Sequence, residues 1–203
     1  MRTRRIFLIL SGFAALAALM PSSVWAQAGQ DANFIKDVGD RLVGIVNGSG
    51  TEAEKRPHLQ QVVDSSVDVD GIARFCLGRF WRDATPEQQQ QYVRLFHEVL
   101  LNNIMGHLGE YRGVRFTINH SERRGEGEVV NTTVTRPGQA PADVNWVVAN
   151  VNGSPRIVDV IAEGTSLRLT QRSDYASYLA RNGNNVQALI SAMRRQVQQQ
   201  QTG

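Results

Sequence analysis

The sequence predicts an α+β fold: an antiparallel, curved sheet of four to five strands, covered on one face by helices. Two observations carry that expectation. Apolar residues recur every three or four positions from Phe34 to Leu108, and again from Tyr175 to Val197. Between these stretches, from Val114 to Ala162, they alternate with a period of two and are broken by short turns. Helices, then a meander, then helices again is an α+β order of elements.

The first helix is expected over Asp31 to Val46, where Phe34, Ile35, Val38, Leu42, Ile45 and Val46 share a face, and Asn47-Gly48-Ser49-Gly50 ends it. Thr51 to Asp64 reads as a second, more polar helix with Leu59, Val62 and Val63 as its apolar contribution. Pro57 lies within it and is expected to mark its true start, because proline fits the first turn of a helix. Val69, Ile72, Phe75, Cys76 and Phe80 then mark a short helix with Asp68 or Asp70 as cap. An aromatic connector, Leu77 to Arg82, leads to Thr85-Pro86-Glu87-Gln88. Here Thr85 is a cap, Pro86 suits the first helical position, and Gln88 completes a capping box. From there Tyr92, Leu95, Phe96, Val99, Leu100, Ile104 and Leu108 form one wide apolar stripe.

The texture changes at Val114. Val114 to Ile118 and Val129 to Thr135 read as strands, separated by a turn at Arg123 to Gly127. After a loop at Pro137 to Pro141, Val144 to Val151 alternates, with Val144, Trp146 and Val148 on one face. Asn152-Gly153 is a two-residue hairpin signal, and Arg156 to Ala162 makes the fourth strand. Ser173 is expected to cap a helix over Asp174 to Arg181, which Asn182-Gly183 ends. Val186, Leu189, Ile190, Met193 and Val197 mark the last helix, and Gln196 to Gly203 reads as a frayed polar end.

The first 28 residues stand apart. Arg2, Arg4 and Arg5 precede an apolar run from Ile6 to Met20, and small residues at Val24-Trp25-Ala26 or Ala26-Gln27-Ala28 suit a processing site. Residues 1–28 are therefore expected to be a cleaved export signal, by the general secretory or the twin-arginine route. One domain over 29–198 and a polar tail over 199–203 remain. All 19 acidic residues lie after position 28, and loss of the three arginines leaves 19 basic ones, so the mature part carries a formal charge near zero. A basic face for nucleic acid is not indicated. Cys76 is the single cysteine, which excludes an internal disulfide and reads as a buried, inert thiol.

Tools for catalysis are sparse. The four histidines, His58, His97, His107 and His120, show no metal-ligand spacing, and no glycine-rich phosphate loop is present. No cofactor is expected. A hydrolytic site would have to assemble Ser166, Asp159 and a histidine, but Ser166 lacks a nucleophile-elbow context and reads more simply as turn or helix punctuation. Asp159 stands among Ile157, Val158, Val160 and Ile161. Pointing inward it would need Arg168 or Arg172 as partner; pointing outward it would be an ordinary surface residue.

Large apolar side chains fall into two groups, Phe75, Phe80, Trp81, Phe96 and Leu100 on the helices and Phe116, Trp146, Val148, Val158 and Val160 on the strands. Periodicity alone fits a filled core and a lined cavity equally.

The order of Val67-Asp68, Leu77-Gly78-Arg79-Phe80-Trp81, Ala84-Thr85-Pro86-Glu87-Gln88 and an aromatic-rich amphipathic helix resembles the MlaC-type family of periplasmic phospholipid-shuttle proteins, also known as toluene-tolerance or organic-solvent-resistance auxiliary proteins. Ile157 to Leu167 followed by Arg172-Ser173-Asp174-Tyr175 is similar to that family's C-terminal pattern. The resemblance implies a non-enzymatic periplasmic carrier with an apolar cavity between sheet and helices, lined by those ten residues and holding phospholipid acyl chains. Arg79 and Arg82 would stand at its mouth. It also implies docking in turn to an outer-membrane lipoprotein complex and to an inner-membrane ABC transporter with a lipid-binding domain. A hopanoid-associated carrier would look much the same. A small pocket hydrolase using Asp159 and a histidine is the rival from another class.

Overall fold

The computed structural model describes residues 23–125 and 127–201. The apolar and arginine-rich parts of the expected export signal lie outside these residues, as does the end of the polar tail. Helix α1 (Ser23–Asn47) and α2 (Glu52–Ser66) form the first pair. Thr51 caps α2 through a reciprocal capping box with Glu54, so the helix starts five residues before Pro57 and carries that proline inside its second turn. The box satisfies the first orphan N–H groups, and the proline removes only one bond near the end of the helix. Helix α3 (Val69–Leu77) is capped by Asp68, which accepts from the Gly71 N–H at 3.1 Å. A 3-10 turn over Gly78–Trp81 carries the chain to α4 (Pro86–Gly106). Thr85, Pro86 and Gln88 form the expected capping box and first turn.

The meander follows as β1 (Arg115–Arg124), β2 (Gly127–Thr135), β3 (Ala142–Val151), β4 (Ser154–Ala162) and the two-residue β5 (Thr165–Ser166). Every neighbouring pair is antiparallel, and the spatial order is the sequence order. Asn152 and Gly153 both take positive φ, at 52° and 85°, as the tight turn between β3 and β4 requires.

Helix α5 (Leu167–Arg181) begins earlier than the sequence indicates. Its cap is Ser166, whose oxygen accepts from the Leu169 N–H at 3.2 Å, and Ser173 lies inside the helix. Helix α6 (Val186–Gln201) continues through the glutamines instead of fraying at Gln196. Val197 is buried, and Gln200 reaches Asn103 of α4, so the last turn has a surface to rest on.

Two layers result. Helix α1 lies over β1 and β2, while α4 packs against α6, α3 and α2. A cavity lined by Phe96 and Leu100 together with the strand residues requires the α4 stripe to face the sheet. The unbroken stripe of α1 takes that place, and α4 becomes the centre of a helical bundle beside it.

Candidate lipid-binding site

Among the described residues the interior forms two apolar clusters. The helical one contains Leu59, Ala73, Cys76, Leu77, Tyr92, Leu179 and Ile190 among 21 buried residues, with 11 partly buried residues around them. The sheet cluster is different in kind. Ile35, Val38, Val62, Val130, Val148 and Ile157 are its six buried members, and eight partly buried residues surround them: Phe34, Leu42, Ile45, Val67, Phe116, Ile118, Trp146 and Val160. Here the half-covered side chains outnumber the covered ones, so the layer between α1 and the sheet is incompletely sealed. Leu42 and Val67 pack against both clusters and form the seam between them.

Specific contacts order the sheet side. The Phe116 and Trp146 rings meet edge to face, 6.4 Å between centroids at 79°. Trp146 Nε1 donates to Thr132 Oγ1 at 3.0 Å, and that hydroxyl donates to the Val144 carbonyl. The indole N–H is thereby satisfied within the sheet, leaving the ring as apolar surface. Gly39 of α1 lies against the Phe116 ring, which occupies the space a Cβ would need.

Nine of the ten residues expected to line one cavity are divided between these clusters. Phe80 and Phe96 are buried in the helical cluster, and Phe75, Trp81 and Leu100 pack on it. Val148 is buried in the sheet cluster, with Phe116, Trp146 and Val160 packed against it. Val158 belongs to neither. The β3–β4 register pairs Val147 with Asp159 but Val148 with Ile157, so Val158 is the extra residue of a β-bulge. The bulge breaks the strict alternation, and Ile157 takes the inward place that alternation assigns to Val158. Sequence reasoning placed Phe34, Leu42 and Ile45 on a helix face without assigning them to the site; their period was legible, their opposition to the sheet was not.

Asp159 points inward and is 5% exposed. It accepts from the Ser166 hydroxyl at 2.6 Å, the Val160 N–H at 2.9 Å and the Arg168 N–H at 3.2 Å, and pairs with Arg168 Nε at 3.3 Å. All of its described partners are structural, and none is a histidine. His97 lies by Asp64 and His107 by Glu110. Nearby, Arg168 and Arg172 both lie over Phe75, Arg74 over Trp81 and Arg79 over Phe80, each between 4.6 and 4.8 Å from the ring centroid. These arginines cover aromatic faces that would otherwise meet water. Burial pushes the Cys76 thiol up to about 12, which keeps it protonated and unreactive. Among the described residues no group of three or more His, Cys, Asp or Glu could hold a metal ion, and no helix is long and apolar enough to cross a membrane.

The α+β domain thus sets a dense helical bundle beside a half-covered apolar layer, with the buried Asp159 engaged in structural bonds, an arrangement that offers surface to an apolar ligand. Comparison with known proteins identifies the family. The chain belongs to the MlaC family, whose sequence model, described as MlaC protein, matches residues 36–195. It is 25% identical over 193 residues to the toluene tolerance protein ttg2D of Pseudomonas putida, across 91% of this chain and 89% of that protein. It is 19% identical over 176 residues to the intermembrane phospholipid transport system binding protein MlaC of Haemophilus influenzae, across 82% and 81% of the two chains. The phospholipid-binding protein from Ralstonia solanacearum, solved in complex with a phospholipid, has the same fold. It superposes with a TM-score of 0.72 at 23% identity, over 84% of this chain and 98% of that one.

Proposed function

We propose that this protein is a periplasmic phospholipid carrier, a binding protein and not an enzyme, that moves lipid between the outer and inner membranes. Membership of the MlaC family carries this reading. The relative from Haemophilus influenzae is named for intermembrane phospholipid transport, and the neighbour from Ralstonia solanacearum holds a phospholipid. The acyl chains would lie between α1 and the sheet, against Phe34, Leu42, Ile45, Phe116, Trp146 and Val160. An unsealed apolar layer gains most from added hydrocarbon. The buried Phe80 and Phe96, with Phe75, Trp81 and Leu100, would form the firm wall behind the seam.

The energetics explain why a carrier is needed. Each methylene buried is worth roughly 0.8 kcal/mol. A two-chain lipid with on the order of 30 methylenes would pay about 24 kcal/mol to cross water bare, on the same scale. A carrier whose interior matches the bilayer makes loading and unloading nearly balanced, with no covalent step. Direction must then come from partners: an outer-membrane lipoprotein complex at one side and an inner-membrane ABC transporter with a lipid-binding domain at the other.

Native mass spectrometry of protein isolated from its own envelope, followed by lipid extraction, tests the reading. A stoichiometric adduct of phospholipid mass is expected; a bare protein under conditions that preserve the fold would overturn it.

A further inference from the structure

At the start of α1 two carboxylates share a cavity. Glu128 of β2 lies opposite Val148 of β3 and Arg123 of β1, and is 5% exposed. Among the described residues its Oε1 is buried and has no hydrogen-bond partner. Gln30 and Asp31 of α1 line the same cavity of about 130 Å³, and the exposed Arg123 lies at its rim. Burial first, and then the Glu128 carboxylate, push the Asp31 carboxyl above its ordinary range, against a smaller opposing pull from Arg123. A buried carboxylate oxygen without a partner is costly, and a second carboxylate beside it makes it more so. Arg123 is exposed at the rim and makes no hydrogen bond to the buried Glu128 oxygen, so the interior of the site still calls for a positive charge with N–H donors.

We propose that this cavity is a site for a primary ammonium group, and that its occupant is the protein's own α-amino group, released by export cleavage. The proposal rests on the cleaved signal expected from the sequence. Cleavage after Ala26 or Ala28 starts the mature chain at Gln27 or Gly29, two to four residues before Asp31. The α1 backbone is helical from Ser23, so either nitrogen starts within about 6 Å of axial rise from Asp31. Helical side chains lean toward the N-terminus, which carries the Asp31 carboxylate back over that turn. A free α-amino group has a pKa of about 8 and is a cation at neutral pH. In the precursor the same nitrogen is a neutral amide. Processing therefore delivers the missing charge and fastens α1 to β2 only in the mature protein.

The test uses mature protein from its own envelope, wild type and Glu128→Gln. Intact mass fixes the first residue, the pH dependence of N-terminal acylation reads the amine pKa, and melting is followed before and after N-terminal acetylation. The expected mass begins at Gln27 or Gly29, with the amine pKa raised above its usual value. Acetylation should then lower the Tm by about 2 °C or more. In Glu128→Gln the pKa should return toward its usual value and acetylation should leave the Tm unchanged. Should Glu128→Gln fail to fold, Asp31→Asn, a half-buried position, carries the same comparison. An ordinary amine pKa in wild-type protein of the expected mass overturns the pairing. A mass beginning elsewhere overturns the cleavage on which it rests. A Tm that rises with calcium chloride but ignores acetylation assigns the cavity to a metal ion and overturns the ammonium.

Discussion

Asp159 accepts the Ser166 hydroxyl at 2.6 Å, and this bond ties the last full strand to the start of α5. Ser166 meanwhile accepts from the Leu169 N–H, so one hydroxyl is both anchored by the sheet and cap of the helix. Arg168 of the first helical turn completes the joint through its N–H and its Nε. The sheet and the helical bundle are thus held together by a polar knot, beside an apolar seam at Leu42 and Val67.

Removing the carboxylate should be severe. Asp159→Ala leaves the Ser166 hydroxyl and a buried part of Arg168 unpaired, and is expected to destabilise by about 3–5 kcal/mol. Ser166→Ala, which removes one cap, should cost about 1 kcal/mol. Urea denaturation of the two variants checks the ratio. Equal, small effects would show that the knot is not what joins the layers.

How much of this joint could be read in advance follows from where its signals lie. The start of α4 was legible because Thr85, Pro86 and Gln88 are consecutive neighbours that satisfy one another. The start of α5 was not. Leu167 and Leu169 are 52% and 56% exposed, so the first turn shows no apolar period, and the partner that fixes its cap is seven residues back across a turn. The inward direction of Asp159 with Arg168 was one of two readings, and burial decided it. On β4 the strand itself is legible in the apolar run of Ile157 to Ile161, but the bulge at Val158 depends on its pairing with β3, which no local pattern records. The site suffered most from competition between helices: α1 and α4 both carry full apolar stripes, and only their packing shows that α1 covers the sheet.

Gly39 marks that packing. An exposed helical Gly→Ala change usually stabilises by about 0.5–1 kcal/mol. Here the added methyl would meet the Phe116 ring, so Gly39→Ala should instead destabilise, by about 1–3 kcal/mol, and push Phe116 from its edge contact with Trp146. In a Phe116→Leu background the penalty should shrink. A thermal-melt double-mutant cycle measures the coupling; additive effects would mean that α1 and Phe116 do not press on each other.

Alkaline pH should loosen the helical cluster. Burial holds the folded Cys76 thiol at about 12, above the value of about 8.5 expected in the unfolded chain. The folded state therefore keeps this proton where the unfolded state has lost it. The stability associated with Cys76 is intact below about pH 8.5 and falls as pH rises toward about 12. Burial shifts Tyr92 and Tyr175 in the same direction, which steepens the decline. Urea midpoints measured from pH 7 to 11 should fall with pH, and Cys76→Ala should flatten the early part of the curve. In native protein at pH 8, Cys76 should react with a thiol reagent only as fast as the chain opens.

Arginine at the sheet face separates ligand binding from folding, but only at one of the two positions the sequence offers. Read from alternation, Trp146→Arg and Val148→Arg are equivalent: both should abolish lipid binding and leave the fold intact. The structure distinguishes them. Val148 is 1% exposed, so an arginine there would bury a charge and unfold the layer, and lost lipid would report lost structure. Trp146 is partly exposed, and its indole N–H bonds to Thr132. An arginine at this position keeps a donor within reach of Thr132 while its charge faces the unsealed space that the acyl chains would fill. Trp146→Arg is therefore expected to melt within a few degrees of wild type, yet to purify with less than about a tenth of its lipid, a change equivalent to about 1.4 kcal/mol. Native mass spectrometry of both variants, alongside their thermal melts, makes the comparison. Full lipid occupancy in a folded Trp146→Arg protein would move the chains away from α1 and the sheet, to the seam at Leu42 and Val67 or into the helical bundle.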